Sequence, residues 1–283
     1  MAPSPDLAPL LPHKARLETS YAFSRTFNPR NLEILWYPLW CQTLFDLVAS
    51  VPNLTVAPQF PVWIIRHYDN EHEDADDGDD PEEITEIEGE EQHNEPEEGD
   101  YEVGAGDISF ASTVPEKKAE GVLVDFAILS LRAVPQPKEK LRYGGWRITG
   151  ASVCLLVELK RFVSRSLKDD ELNVEILAHV QEARSDLVKQ AGYLFIKDKT
   201  KNSVMAIAAA GPFWSGATIH RDDIKLTMHI LSTSDLSYQP PGEEFVDRVP
   251  KWNKIIRLDG ASSEAASEAR LHTVCKKMRE MGD

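Results

Sequence analysis

The run Val153-Cys154-Leu155-Leu156-Val157-Glu158-Leu159-Lys160-Arg161 constrains this chain more than any other stretch. Five apolar residues, none alternating with a polar one, read as a buried strand. Side chains alternate along a strand, so Glu158 and Lys160 share one side and Leu159 takes the other. An acid and a base therefore emerge together where a buried strand reaches its open end. Charges are seldom placed there unless they are paired or used.

The rest of the chain supplies elements around that strand. Residues 1–26 read as an irregular N-terminal arm. Asn28-Pro29 is a cap followed by proline, a helix start. Leu32, Leu35, Trp36, Leu39, Trp40, Leu44, Leu47 and Val48 then follow at helical spacing, with Pro38 expected to kink or divide the helix. Phe60 to Tyr68 reads as a strand, as does Gly121 to Leu131, whose single charge is Asp125. A loop over Pro135 to Lys140 leads through Gly144-Gly145 into the central strand. The spacing predicts a helix over Asp169 to Ile196, a buried strand over Ser203 to Ala210, and an outer strand over Ile224 to Leu231. Between those two, His220-Arg221-Asp222-Asp223 reads as a turn. Ser262 or Ser263 can cap a final helix, giving a C-terminal helix over 261–283.

The net charge of −16 is concentrated in one place. From Asp69 to Asp100 there are 18 acidic residues and no Lys or Arg; without them, 29 of the 47 acidic residues remain against 31 basic ones. That segment cannot bury a core and is expected to be a disordered insert over about 69–105, inside a domain that spans 27–260. A tethered polyanion near a phosphate-binding groove would compete with nucleic acid, and the insert is also a place for protein partners. The three cysteines, Cys41, Cys154 and Cys275, form neither a metal-ligand spacing nor a disulfide framework. No signal peptide or stretch long enough to cross a membrane is read, so the expected location is intracellular, nuclear or cytoplasmic, with no membrane partner.

Asp125 interrupts its strand some 33 residues before Glu158. If the two strands pair through the Gly144-Gly145 loop, both carboxylates reach one sheet edge. Two carboxylates a few Å apart repel unless a proton or a cation intervenes. Mg²⁺ takes oxygen ligands, commonly one or two carboxylates with water and phosphate. Lys160 could orient an attacking water and offset charge on a phosphate. These residues together suit phosphodiester hydrolysis. The basic residues Arg161 and Arg165, with Lys168, lie beside the site and can track a nucleic-acid backbone.

On Asp125 and Glu158-Leu159-Lys160 the chain resembles the PD-(D/E)XK nuclease superfamily, over roughly Asn28 to Ala210. The resemblance implies a restriction-endonuclease-like α/β fold: an α-β-β-β-α-β core with a mixed sheet flanked by helices, here with a strand and a helix added at the C-terminus. It implies that Asp125 and Glu158 bind Mg²⁺ or Mn²⁺, with the Leu159 carbonyl as a further ligand and Lys160 as the catalytic residue that positions the attacking water. Gln190-Ala191-Gly192-Tyr193 matches the helix motif of many members, making Gln190 catalytic and Tyr193 substrate-binding. Glu33 is the candidate for the glutamate of the first core helix. The proline that precedes the first acid in the family is absent, since Val124 stands there. The expected substrate is nucleic acid, DNA ahead of RNA. The alternatives are a catalytically silent member of the same fold serving as a protein-interaction or regulatory module, and an unrelated α/β domain whose E-x-K is a structural ion pair.

Overall fold

A computed structural model describes residues 10–65, 119–137, 144–233, 246–258 and 264–282. The acidic stretch expected as a disordered insert lies outside the described residues. The fold is α/β, built on a six-stranded mixed sheet in the order β1-β2-β3-β4-β5-β6. The strands are β1 (Leu54–Ile65), β2 (Ala119–Pro135), β3 (Trp146–Lys160), β4 (Ser203–Ala210), β5 (Phe213–His220) and β6 (Ile256–Arg257). Every neighbouring pair is antiparallel except β3 and β4. A parallel pair needs a crossover, and helix α3 (Asp169–Lys197) provides it.

Helix α3 buries Ile176, Val180, Ala183, Leu187, Ala191 and Leu194, a stripe at the spacing the sequence shows. The opposite face of the sheet is covered by α2 (Tyr37–Val48) and α5 (Glu264–Gly282). Strand alternation fixes this division. Trp214 on β5 meets Trp40 of α2 edge-on and donates to Ser267 of α5, whereas its neighbour Ser215 accepts from Arg184 of α3. With Trp36, Trp40, Trp214, Phe126 and Phe195 fully enclosed, the aromatic residues dominate the core. Trp36 and Trp40, which follow at helical spacing in the sequence, both belong to it.

Strands β1 and β2 approach closely at Gly121. A Cβ there would lie 2.4 Å from the Val62 carbonyl oxygen, which only glycine avoids. No helix among the described residues is long and apolar enough to cross a membrane.

Several expectations need correction. Residues 1–26, read as an irregular arm, include helix α1 (Leu10–Phe23), whose Phe23 ring packs edge-on against Trp36 and Phe162. Asn28-Pro29 does not start the next helix. Asn28 is buried, donating to the Ala22 carbonyl and accepting from the Leu32 amide, and so holds a turn together. A 3-10 turn (Glu33–Trp36) precedes α2, and Pro38 sits in the first turn of α2, where its missing N–H costs nothing. Strand β1 begins at Leu54 rather than Phe60, and the end predicted for it, 66–68, is outside the described residues.

The outer strand predicted over Ile224 to Leu231 is helix α4 (Lys225–Thr233), and the strand is β5, just upstream. Helix α4 is capped from a distance: the Asp247 carboxylate accepts from the amides of Leu226 and Thr227. Gly192 of α3 permits the close approach of α4, since a Cβ there would meet Leu231 at 2.7 Å. The final helix begins at Glu264; its proposed serine caps are outside the described residues.

Candidate active site where two strands part

Strands β2 and β3 pair up to Phe126↔Val157 and no further. Beyond that point β2 stays with β1 as far as Ala119, and β3 stays with β4 as far as Lys160. The sheet thus opens at Asp125 and Glu158, the next residue on each strand. Asp125 occupies the opening: its Oδ2 accepts from the Leu159 amide at 2.7 Å, where a backbone carbonyl of β2 would otherwise stand.

The other side of Asp125 is built by a break in the β1–β2 register. Pro58 pairs with Phe126 and Phe60 with Val124, while Gln59 between them adopts φ +49. A left-handed backbone at a non-glycine residue is strained and is found preferentially at functional sites. The Gln59 amide donates to the Tyr37 hydroxyl at 2.9 Å and to Asp125 Oδ1 at 3.4 Å. The Tyr37 hydroxyl in turn donates to Asp125 Oδ1. Asp125 is only 9 % exposed, and burial lifts its carboxyl above the usual range even though Tyr37, Leu159 and Lys160 oppose the shift. The Tyr37 hydroxyl, buried and beside that carboxylate, is correspondingly harder to ionise.

Glu158 is 8 % exposed. Burial, and then the charge of Asp125, raise it to about 7. Its two oxygens are separately held, Oε2 by the Gln190 amide at 2.7 Å and Oε1 by the Lys160 ammonium at 2.9 Å. Lys160 also reaches Asp186 at 2.6 Å and Glu182 at 3.9 Å. Burial works against its charge, but hydrogen bonds to Asp186 and Glu158 outweigh that and keep it protonated. Glu33 sits at the margin, where its Oε2 accepts from the Arg161 amide at 3.1 Å. Its carboxyl is raised, first by burial and then by Asp125.

The structure therefore brings Asp125, Glu158, Lys160 and Gln190 together, with Leu159 and Glu33 adjoining. Arg161 takes part through its backbone, donating to Glu33 and meeting His179 Nδ1 at 3.0 Å through its carbonyl. Arg165 is engaged elsewhere: its guanidinium donates to the carbonyls of Ala22 and Asn28, tying the α1 turn to the chain after β3. Tyr193 is buried and lines a different groove. Arg221, in the turn read at His220 to Asp223, clamps the carbonyls of Phe195 and Lys201.

Residue-by-residue reading missed Tyr37, Gln59, Glu182 and Asp186. Three of them carried a signal. Tyr37 lies four residues after Glu33, one helical step in sequence although the two straddle the junction of the 3-10 turn and α2, and Glu182, Asp186 and Gln190 follow one another at four-residue steps on one face of α3. Gln59 carried none, since nothing in its neighbours announces the left-handed backbone.

The donors at the opening are all oxygens, and the charge of buried Asp125 raises the proton affinity of Glu158. Such a set fits a hard divalent cation better than zinc, which prefers nitrogen and sulfur. Asp125 and Glu158 are placed to hold one, and Gln190 Oε1 is buried beside them without a partner. Among the described residues no three His, Cys, Asp or Glu side chains form a ready-made metal cage. The arrangement is thus a two-carboxylate site, of the kind Mg²⁺ completes with water and phosphate. Compared with known proteins, the chain matches no family model, no curated protein and no solved structure.

Proposed function

We propose that this chain is a divalent-cation-dependent nuclease of the PD-(D/E)XK type, hydrolysing phosphodiester bonds in nucleic acid, with DNA the first substrate to test. One observation carries the reading: Asp125 and Glu158 face each other where β2 and β3 part, with the Lys160 ammonium 2.9 Å from Glu158. The element order supports a restriction-endonuclease-like core, with helix α2, antiparallel strands β1 to β3, crossover helix α3, and β4 parallel to β3.

Asp125 and Glu158 would hold Mg²⁺ or Mn²⁺, with Glu33 and the Leu159 carbonyl as further oxygen donors. When bound, such a cation neutralises phosphate charge and acidifies water. Lys160 orients the attacking water and offsets negative charge developing on the phosphoryl group. Gln190 fixes the orientation of the Glu158 carboxylate, and Tyr37 with Gln59 does the same for Asp125. A preset geometry of this kind removes reorganisation from the barrier.

A second reading is the same architecture without catalysis, serving as a protein-interaction or regulatory module. It is favoured by the engagement of the site within the protein itself. Both Asp125 oxygens accept hydrogen bonds, and Lys160 is shared between Glu158 and Asp186. Incubation of DNA and RNA substrates with Mg²⁺ or Mn²⁺ separates the two. The nuclease cleaves, and Lys160→Ala and Asp125→Asn each lower the rate by about 100-fold or more. No cleavage by the wild type, or equal cleavage by the variants, leaves the silent reading.

A further inference from the structure

A second recess lies beside the candidate active site, on the flank of α3. It is a groove of about 610 Å³ between α3, α4 and the segment that carries Asp247 to Trp252. Its floor is apolar, with Tyr193, Leu231 and Trp252. Its walls are cationic, with Arg184, Lys189 and Arg248. Its acid, Asp247, is already committed to capping α4. Among the described residues none of the three cations has a carboxylate partner: Arg184 donates to Gln181 and to Ser215, and its Nε is buried without an acceptor. The Arg184 guanidinium lies over the Trp252 ring, 5.1 Å from its centroid. An apolar recess with surplus positive charge calls for a ligand that joins a flat apolar group to an anion.

Lys189 decides what that ligand is. The same lysine also lines a cleft of about 370 Å³ bounded by Glu158, Asp186 and Gln190. The groove and the carboxylate site are therefore neighbours along α3, joined by one cation. We propose that the groove is a nucleotide subsite: the base lies against the Trp252 side, and its phosphate is held by Lys189 and Arg248. Every base has a π-face, so stacking there carries little sequence preference. The volume lies within the range of small-ligand sites. The assignment of a nucleotide, rather than another aromatic anion, rests on the nuclease reading of the adjacent carboxylates.

The test is calorimetric titration of the full chain with adenosine 5′-monophosphate in EDTA, so that no cleavage chemistry is involved. Saturable binding is expected, weakened about tenfold or more by Lys189→Glu and by Arg248→Glu, both of which change exposed side chains and spare the core. Adenosine, lacking the phosphate, and ribose 5-phosphate, lacking the ring, are each expected to bind about tenfold or more weakly than the nucleotide. Absent binding, or binding unchanged in both variants, overturns the proposal. Phenyl phosphate binding as tightly as the nucleotide overturns the nucleotide assignment. Nucleotide binding with these dependences but no nucleic-acid cleavage removes the catalytic reading and leaves the groove as a nucleotide site. Cleavage that depends on Asp125, with no nucleotide binding, removes the groove alone.

Discussion

The two ends of the β2–β3 pair invert each other. Beyond Phe126↔Val157 the strands part, and charged side chains are buried: Asp125, Glu158 and the Gln190 that holds Glu158 are each less than a tenth exposed. At the other end the ladder continues through Val134↔Arg147 and Pro135↔Trp146, and there the apolar residues Trp146 and Ile148 are more than half exposed. Hydrophobicity therefore does not sort residues along these strands. Coverage does: Tyr37 of α2 and Gln190 of α3 close on the parted end, whereas Trp146 to Thr149 at the other end all lie exposed. Burying charge is costly unless each charge finds partners, so the parted end needs its ring of donors, and the paired arm needs only its backbone ladder.

Truncation at the last paired position should give the largest effect. Phe126→Ala, fully enclosed and packed on the Tyr37 ring, is expected to cost about 3–5 kcal/mol in urea unfolding. A loss as small as that of an exposed residue would break the contrast.

Next comes a pH dependence that belongs to the parted end alone. Glu158 is raised from its ordinary value near 4.5 to about 7 in the cation-free protein. Between those values the folded state keeps a proton that the unfolded state releases, so stability is greatest below about pH 4.5 on this account and falls as pH rises to about 7. The fall is about 3 kcal/mol at most. Urea midpoints from pH 5 to 7.5 in EDTA should show it in the wild type and a clearly smaller fall in Glu158→Gln, where the raised carboxyls of Asp125 and Glu33 remain; a flat wild-type profile would refute the assignment. Adding Mg²⁺ at pH 7.5 should recover stability by mass action, and no recovery would count against a cation at this site.

Removing one donor sharpens the same point on a smaller scale. Tyr37→Phe leaves Asp125 Oδ1 with only the Gln59 amide and should cost about 1–2 kcal/mol. Its NMR-measured carboxyl pKa should rise further, because the Tyr37 hydroxyl opposes the shift. An unchanged Asp125 titration would show that the hydroxyl does not act on it. At the far end Trp146→Ala should change stability by no more than about 0.5 kcal/mol, as for other surface positions. A larger loss would mean that the exposed arm is held by more than its ladder.

The elements that were legible in the sequence are those in which one local pattern suffices. Ser203 to Ala210 is a continuous apolar run, and it forms a strand with those same bounds. Helix α3 shows its stripe over about six turns, and it appears within a residue of its predicted end. Strand β5 was not legible because both its faces are covered and one by polar contacts: buried Ser215 joins Arg184 and the Asn253 carbonyl, which erases alternation. Helix α4 was misread because its cap, Asp247, is twenty residues downstream. At the site, Asp125, Glu158 and Lys160 could be found because each interrupts or ends an apolar run, whereas Gln190 came only from the resemblance of its helix motif. Arg165 was read as a phosphate contact because a basic side chain near the site looks the same in sequence whether it faces a phosphate or, as here, the carbonyls of Ala22 and Asn28.

The hydrogen bond from the Leu159 amide to Asp125 has a consequence for descent. Replace Asp125 with an apolar residue and a main-chain N–H in the middle of the protein loses its acceptor, so the aspartate is a stitch in the sheet as well as a candidate reagent. Selection for folding alone would retain it. A lineage under no selection for chemistry would still carry this aspartate, because the sheet relies on its carboxylate.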